Sequence, residues 1–199
     1  MGIYVHIPFC VQKCKYCDFL SAPADVEAQN ADMEALCKEI EGRSVAYREC
    51  EITSIFIGGG TPTAVKPEWI VKVMELVKSC YKVSETAEIT MEMNPATVTM
   101  DTLAIYRKAG INRLSIGLQS ANDEELKKIG RVHNFQAFLT CYEQARRVGF
   151  ENINVDIMSA LPDQNMKSYK KTLEQVVSLK PAPEHISAYT LIIEKGTPF

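Results

Sequence analysis

The sequence predicts an α/β fold in which six parallel β-strands, joined through helices, roll into an open barrel around a polar lumen. Three observations predict it. Strand-like and helix-like segments alternate six times along the 199 residues, a pattern that favours parallel pairing through right-handed crossovers. The strand-like segments place aliphatic residues on one parity and polar residues on the other, whereas strands of a doubly wound sheet are apolar on both faces. In a barrel the aliphatic side meets the helices, so the polar side points inward. A small closed barrel fills its interior with bulky branched residues, so a polar interior implies a wide or open barrel that holds a ligand. Strand count alone equally suits a doubly wound sheet.

The elements follow in order. Ile3, Val5 and Ile7 alternate with Tyr4 and His6 in the first strand, the period of two that marks one apolar and one polar face. Residues 26–47 read as a polar-rich helix, and residues 52–57 as a second strand that ends in Gly58-Gly59-Gly60. Pro67 opens the next helix, where Ile70, Val73, Met74, Val77 and Tyr81 recur at helical spacing. The third strand sets Ile89, Met91 and Met93 against Thr90, Glu92 and Asn94. Thr99 is placed to cap a helix that Gly110 closes. In the fourth strand Leu114, Ile116 and Leu118 alternate with Ser115, Gly117 and Gln119. A short helix from Asn122 carries acids first and lysines last before Gly130, which suits the helix dipole at both ends. Asn134 caps the next helix, which runs to Gly149, and the fifth strand sets Ile153, Val155 and Ile157 against Asn154 and Asp156. A helix from about residue 166 to 179 stops before Pro181. A sixth strand follows from about 185 to 191, with no helix predicted after it.

At 46% hydrophobic and net charge −3 the chain can bury a sizeable core, and one domain spanning 1–199 is the expectation. Pairs such as Lys127-Lys128, Arg146-Arg147 and Lys170-Lys171 are solvated helix faces, so nothing points to nucleic acid. The N-terminus lacks a charged and apolar leader, and no stretch is apolar enough to span a membrane. Met1-Gly2 opens a myristoylation pattern, but the position that requires Ser or Thr holds His6. A cytoplasmic location follows, where seven cysteines are ligands and core residues before they are disulfides. Cys37, Cys50, Cys80 and Cys141 read as packing residues.

The other three thiols, Cys10, Cys14 and Cys17, lie within eight residues straight after the first strand. That spacing suggests one inorganic object. Cysteine thiolates ligate iron–sulfur clusters, and a cubane has four irons, so three ligands leave one iron open for chemistry or ligand binding. A structural zinc with His6 or Asp18 as fourth ligand is the alternative, although zinc usually takes its ligands from separated pairs.

The cysteine loop, with Gly58-Gly59-Gly60-Thr61 downstream, resembles the radical S-adenosylmethionine superfamily, and Tyr4-Val5-His6-Ile7-Pro8-Phe9-Cys10 followed by the CxxC of Cys14 and Cys17 resembles its anaerobic coproporphyrinogen III oxidase family. The resemblance runs from Tyr4 to Phe199. It implies a partial TIM-like (β/α)6 barrel whose last helix and C-terminal domain lie outside this chain, a [4Fe–4S] cluster held by Cys10, Cys14 and Cys17, and S-adenosylmethionine chelated through its amino and carboxylate groups to the open iron. In the superfamily the reduced cluster cleaves the sulfonium to a 5′-deoxyadenosyl radical.

The resemblance also implies roles for particular residues. Gly59, Gly60 and Thr61 bind the methionine moiety, where successive backbone N–H groups can form a concavity for a polar head. Glu92 aligns with an acid that binds the cosubstrate, and an inward carboxylate needs a cation such as an ammonium, or a salt bridge to Arg113 or Arg131. Arg131 suits a fork-like pairing to a carboxylate, and Gln119 and Asp156 offer hydrogen bonds to ribose hydroxyls or to supporting side chains. Tyr4 and Tyr16 align with aromatic positions that contact the cosubstrate, with Tyr16 able to lie flat against adenine. His6 is expected to support the cluster loop.

Within the family, oxidases carry a further cysteine where this chain has Phe19, and they run on before the first strand. Both departures point to the haem chaperone branch, which binds haem and passes it to acceptors such as respiratory proteins. Its haem site is expected outside this chain. The alternatives are an oxidase that turns coproporphyrinogen III propionates into vinyl groups, which needs an external electron donor, and a haem-degrading radical methyltransferase relative.

Overall fold

The computed structural model describes residues 1–199. Strands β1 (Gly2–Ile7), β2 (Glu51–Gly59), β3 (Lys82–Met93), β4 (Arg113–Gln119), β5 (Asn152–Ser159) and β6 (His185–Thr190) form one sheet in the order of the chain. Every neighbouring pair is parallel. The sequential order decides between the two architectures, because a doubly wound sheet reverses its order at a switch point and this one does not. The strands β1 and β6 remain edges, so the molecule is an open partial TIM-like (β/α)6 barrel.

The crossovers carry α1 (Val26–Ser44), α2 (Pro67–Cys80), α3 (Met100–Ala109), a short α4 (Asp123–Lys128), α5 (Phe135–Val148) and α6 (Met166–Val177). Side-chain caps begin them where local chemistry predicts: Thr99 accepts from the Thr102 N–H in a capping box, and Asn122 and Asn134 accept from Glu124 and Ala137. Asp25 and Asn165 cap α1 and α6 in the same way.

The aliphatic parity of the strands packs outward as expected. Val5, Ile7, Ile57, Met91, Ile116 and Val155 are buried in one core with Met33 of α1, Val73 of α2, Leu103 of α3 and Phe138 of α5. Burial of each such side chain contributes about 1.5–3 kcal/mol. The polar parity is not wet throughout: Thr90, Ser115 and Asn154 are at most 6% exposed, satisfied by one another and by neighbouring strands.

Two strands run longer than their apolar patterns. The strand β3 begins at Lys82 because residues 82–83 pair with Glu51 and Ile52 before a register irregularity, and β2 continues through two glycines because β1 pairs with them. The helix α1 ends at Ser44, with a 3₁₀ turn over Val45–Tyr47. The strand β6 is covered by no helix and is mostly exposed.

Candidate functional site

The loop after β1 is held by hydrogen bonds from three sides. Cys10 N–H donates to Ala22 O and Ala22 N–H to Pro8 O, closing the loop on itself. Lys15 N–H donates to Ile129 O and the Gln12 amide to Gly130 O, which docks the loop on the turn after α4. His6 supplies the third support. Its Nε2 lies 2.9 Å from Leu20 O, so Nε2 donates, and in the neutral ring Nδ1 accepts from the Tyr4 hydroxyl at 3.0 Å. His6 supports the cluster loop as expected, and both its nitrogens are committed within the protein.

The glycine run serves the same loop. Gly60 N–H donates to Ile7 O at 2.9 Å, Thr61 N–H to Phe9 O at 2.7 Å and Gly59 N–H to Glu92 Oε2 at 3.1 Å. These N–H groups are therefore occupied, which corrects the expectation of an N–H concavity for a ligand. The glycines answer to crowding instead: a Cβ on Gly59, whose φ is +115°, would lie 2.8 Å from the His6 ring, and one on Gly60 would strike Phe9 O. Gly59, Gly60 and Thr61 still line the cavity described next.

A cavity of about 600 Å³ opens at the carboxyl ends of the strands, within the range of small-molecule sites. Cys10, Cys14 and Cys17 line one wall, all as free thiols. Burial pushes the Cys10 thiol up, a Ser21 hydrogen bond opposes this, and Cys14 and Cys17 add to it by their charge. No three His, Cys, Asp or Glu side chains converge as ligands of one ion would.

The strand side of the cavity is charged. Glu92, Asp156, Arg131 and Gln119 line it together. Burial raises the Glu92 carboxyl to about 7 against the Gly59 N–H bond, with the Asp156 charge adding and His6 opposing. Arg113 meets Glu88 instead, and neither Glu92 nor Arg131 belongs to a salt bridge. Asp156 is also raised by burial, opposed by hydrogen bonds from the Asn154 amide at 2.8 Å and Ser115 Oγ at 3.1 Å. Arg131 donates to Gly117 O at 2.5 Å and toward Cys14 Sγ at 3.7 Å. Its buried Nε has no partner. Gln119 adopts a left-handed φ of 71° and accepts from the Tyr189 hydroxyl at 2.8 Å.

Tyr16 lines the cavity and packs on Leu126, Ile129, Met158 and Leu161. Tyr4 is not among the residues that line the cavity, and its hydroxyl is held by His6. Tyr4 precedes His6 by two residues on β1, so it sits about 7 Å further from the carboxyl end, stacked on Phe56. Three parts of the site were not foreseen: the Ser115, Asn154 and Ser187 hydroxyl and amide chain beneath Asp156, Tyr189 on Gln119, and His133 on Leu118 O. The alternation of Ser187 and Tyr189 in β6 carried a signal for two of them. Glu125, buried among donors from Ser120, Gln164 and Ser168, read only as a first-turn acid.

An open parallel barrel with three loop thiols facing a charged groove at its carboxyl ends defines a class. The Radical SAM superfamily matches residues 4–176, and the chain belongs to it. Membership implies a [4Fe–4S] cluster and S-adenosylmethionine, and the thiol set and charged wall fit both. The chain is 40% identical over its whole length to "Heme chaperone HemW" of Buchnera aphidicola subsp. Schizaphis graminum and 39% identical to that of Escherichia coli (strain K12). It spans 52% of each of those relatives. Among solved structures it is similar to coproporphyrinogen III oxidase (HemN) from Escherichia coli, with TM-score 0.88 and 29% identity over 96% of this chain and 44% of that one.

Proposed function

We infer that residues 1–199 are the barrel domain of a cytoplasmic haem chaperone that binds a [4Fe–4S] cluster and S-adenosylmethionine and passes haem to acceptor proteins, with the haem itself held outside this chain. One observation carries the cofactor half of this reading: three free thiols share a cavity with a carboxylate and a guanidinium that have no ion-pair partner. Identity of about 40% along the whole chain to proteins named haem chaperones supports the other half. No helix is long and apolar enough to cross a membrane.

Cys10, Cys14 and Cys17 would hold the cluster. Glu92 would accept a hydrogen bond from the amino group of the cosubstrate and Arg131 would face its carboxylate, partners that neither side chain finds as an ion pair within the protein. Gly59, Gly60 and Thr61 would border the methionine moiety, Asp156 and Gln119 would meet the ribose hydroxyls, and Tyr16 would stack on adenine. When bound and reduced, the cluster supplies the electron that cleaves a sulfonium C–S bond. Glu92 must give up its proton to act as a charged acceptor for the amino N–H groups, so binding releases a proton where the pH is below about 7.

The oxidase reading is favoured by the structural likeness to HemN. Anaerobically reconstituted full-length protein, given S-adenosylmethionine, reductant and coproporphyrinogen III, separates the two. Stable haem binding without porphyrinogen turnover supports the chaperone; a vinyl product overturns it.

A further inference from the structure

Between Gly117 and Gln119 the ladder of β4 slips against β5: Gly117 faces Asp156 and Gln119 faces Ile157, which leaves Leu118 without an opposite residue. Such a bulge re-aims side chains and interrupts pairing. Here it coincides with the left-handed φ of Gln119, a conformation that persists in a non-glycine residue only when surroundings enforce it.

The segment after α4 supplies the enforcement. Arg131 donates to Gly117 O, and His133 Nε2 lies 3.2 Å from the next carbonyl, Leu118 O. Two residues of one short loop segment thus grip consecutive carbonyls of the bulge. Gly117 is part of the fit, since a Cβ there would lie 3.0 Å from both Arg131 Nη2 and Gln119 Nε2.

A carbonyl only accepts, so His133 carries its proton on Nε2 and presents a bare Nδ1. His133 is 5% exposed, and burial with the Arg131 charge lowers it to about 3. The ring is neutral and does not repel the guanidinium two residues away. Its Nδ1 and Arg131 Nε are both buried without protein partners, an acceptor and a donor of matching sense.

We propose that His133 is a positioning residue for the cosubstrate: by donating from Nε2 to Leu118 O it pins the β4 bulge, and so fixes Gln119 and Arg131 on the cavity wall. This rests on the cosubstrate reading above. It requires a donor at the Nε2 position, which separates it from a role in packing alone.

The test compares His133→Gln, whose amide nitrogen reaches the Nε2 position, with His133→Asn, whose shorter amide reaches only Nδ1. Both are made in the full-length, anaerobically reconstituted protein. S-adenosylmethionine affinity is measured by equilibrium dialysis, and amide hydrogen exchange is followed in the peptide around Gln119 before ligand is added. The expected result is binding within about threefold of the parent for Gln, a loss of about tenfold for Asn, equal iron content in both, and faster exchange around Gln119 in Asn alone. Equal binding and exchange in the two variants, with the parent binding normally, overturns the role of His133. A parent that binds no S-adenosylmethionine overturns the cosubstrate reading itself, and the inference with it.

Discussion

At Glu92, stability and binding pull in opposite directions. Its carboxyl titrates at about 7 when folded, against 4.5 as its ordinary value. Between those values the folded protein keeps a proton that the unfolded chain has released, so the unfolding free energy falls as pH rises through that window. Glu92→Gln removes the buried charge. We expect it to stabilise the unliganded protein by about 1–3 kcal/mol at pH 8 and by much less at pH 5, read from urea melts at the two pH values. The same substitution should weaken S-adenosylmethionine binding by about tenfold to a hundredfold and flatten its rise between pH 6 and 8, since a neutral amide has no proton to release. Stabilisation that is equal at both pH values would contradict the assignment. At the thiols, replacing Cys10, Cys14 or Cys17 singly by Ala should abolish iron and sulfide incorporation while leaving far-UV circular dichroism unchanged.

At the scale of elements, the cysteine loop is shaped by its neighbours more than by its own sequence. Gly60 abuts Phe9 O and Ser21 Cβ, so Gly60→Ala must push the loop off β2. Iron content after reconstitution is expected to drop several-fold, with helix and strand content retained. A normal iron content would mean that the loop can shift without losing its ligand geometry. The helix α3 offers a control remote from the site: Thr99→Ala removes its capping box and should cost about 1 kcal/mol in urea denaturation without changing iron content.

Over the whole molecule, the cavity draws its walls from the loops and ends of all six strands. A ligand there bridges the open sheet from β1 to β6, two strands that do not pair with each other. S-adenosylmethionine at a hundredfold excess over its Kd is therefore expected to stabilise the full-length protein by about 2.7 kcal/mol. Differential scanning calorimetry under anaerobic conditions reads this as an upward shift of the melt, and no shift at saturating ligand would contradict the placement of the site.

The sequence by itself determined the elements and their faces. The period of two in Ile3–Ile7, Ile89–Asn94 and Leu114–Gln119 is a local property of extended chain, so it showed which side chains turn toward the helices and which toward the lumen. Cys10, Cys14 and Cys17 stood out because ligands of one cluster are tied by short spacing, whereas Glu92, Gln119, Arg131 and Asp156 were singled out through the family resemblance, with only the inward parity of Glu92, Gln119 and Asp156 carried by the pattern itself. Only the tertiary structure decided that the strands keep sequential order in an open sheet, that the N–H groups of Gly59 to Thr61 are spent on Glu92, the end of β1 and the cysteine loop, that the Tyr4 hydroxyl meets His6, and that His133 reaches the Leu118 carbonyl. Each of these depends on a partner far along the chain. Parity and spacing are fixed by covalent geometry, whereas the partner of a buried hydrogen-bonding group is fixed only when distant segments are brought together and every such group must be satisfied.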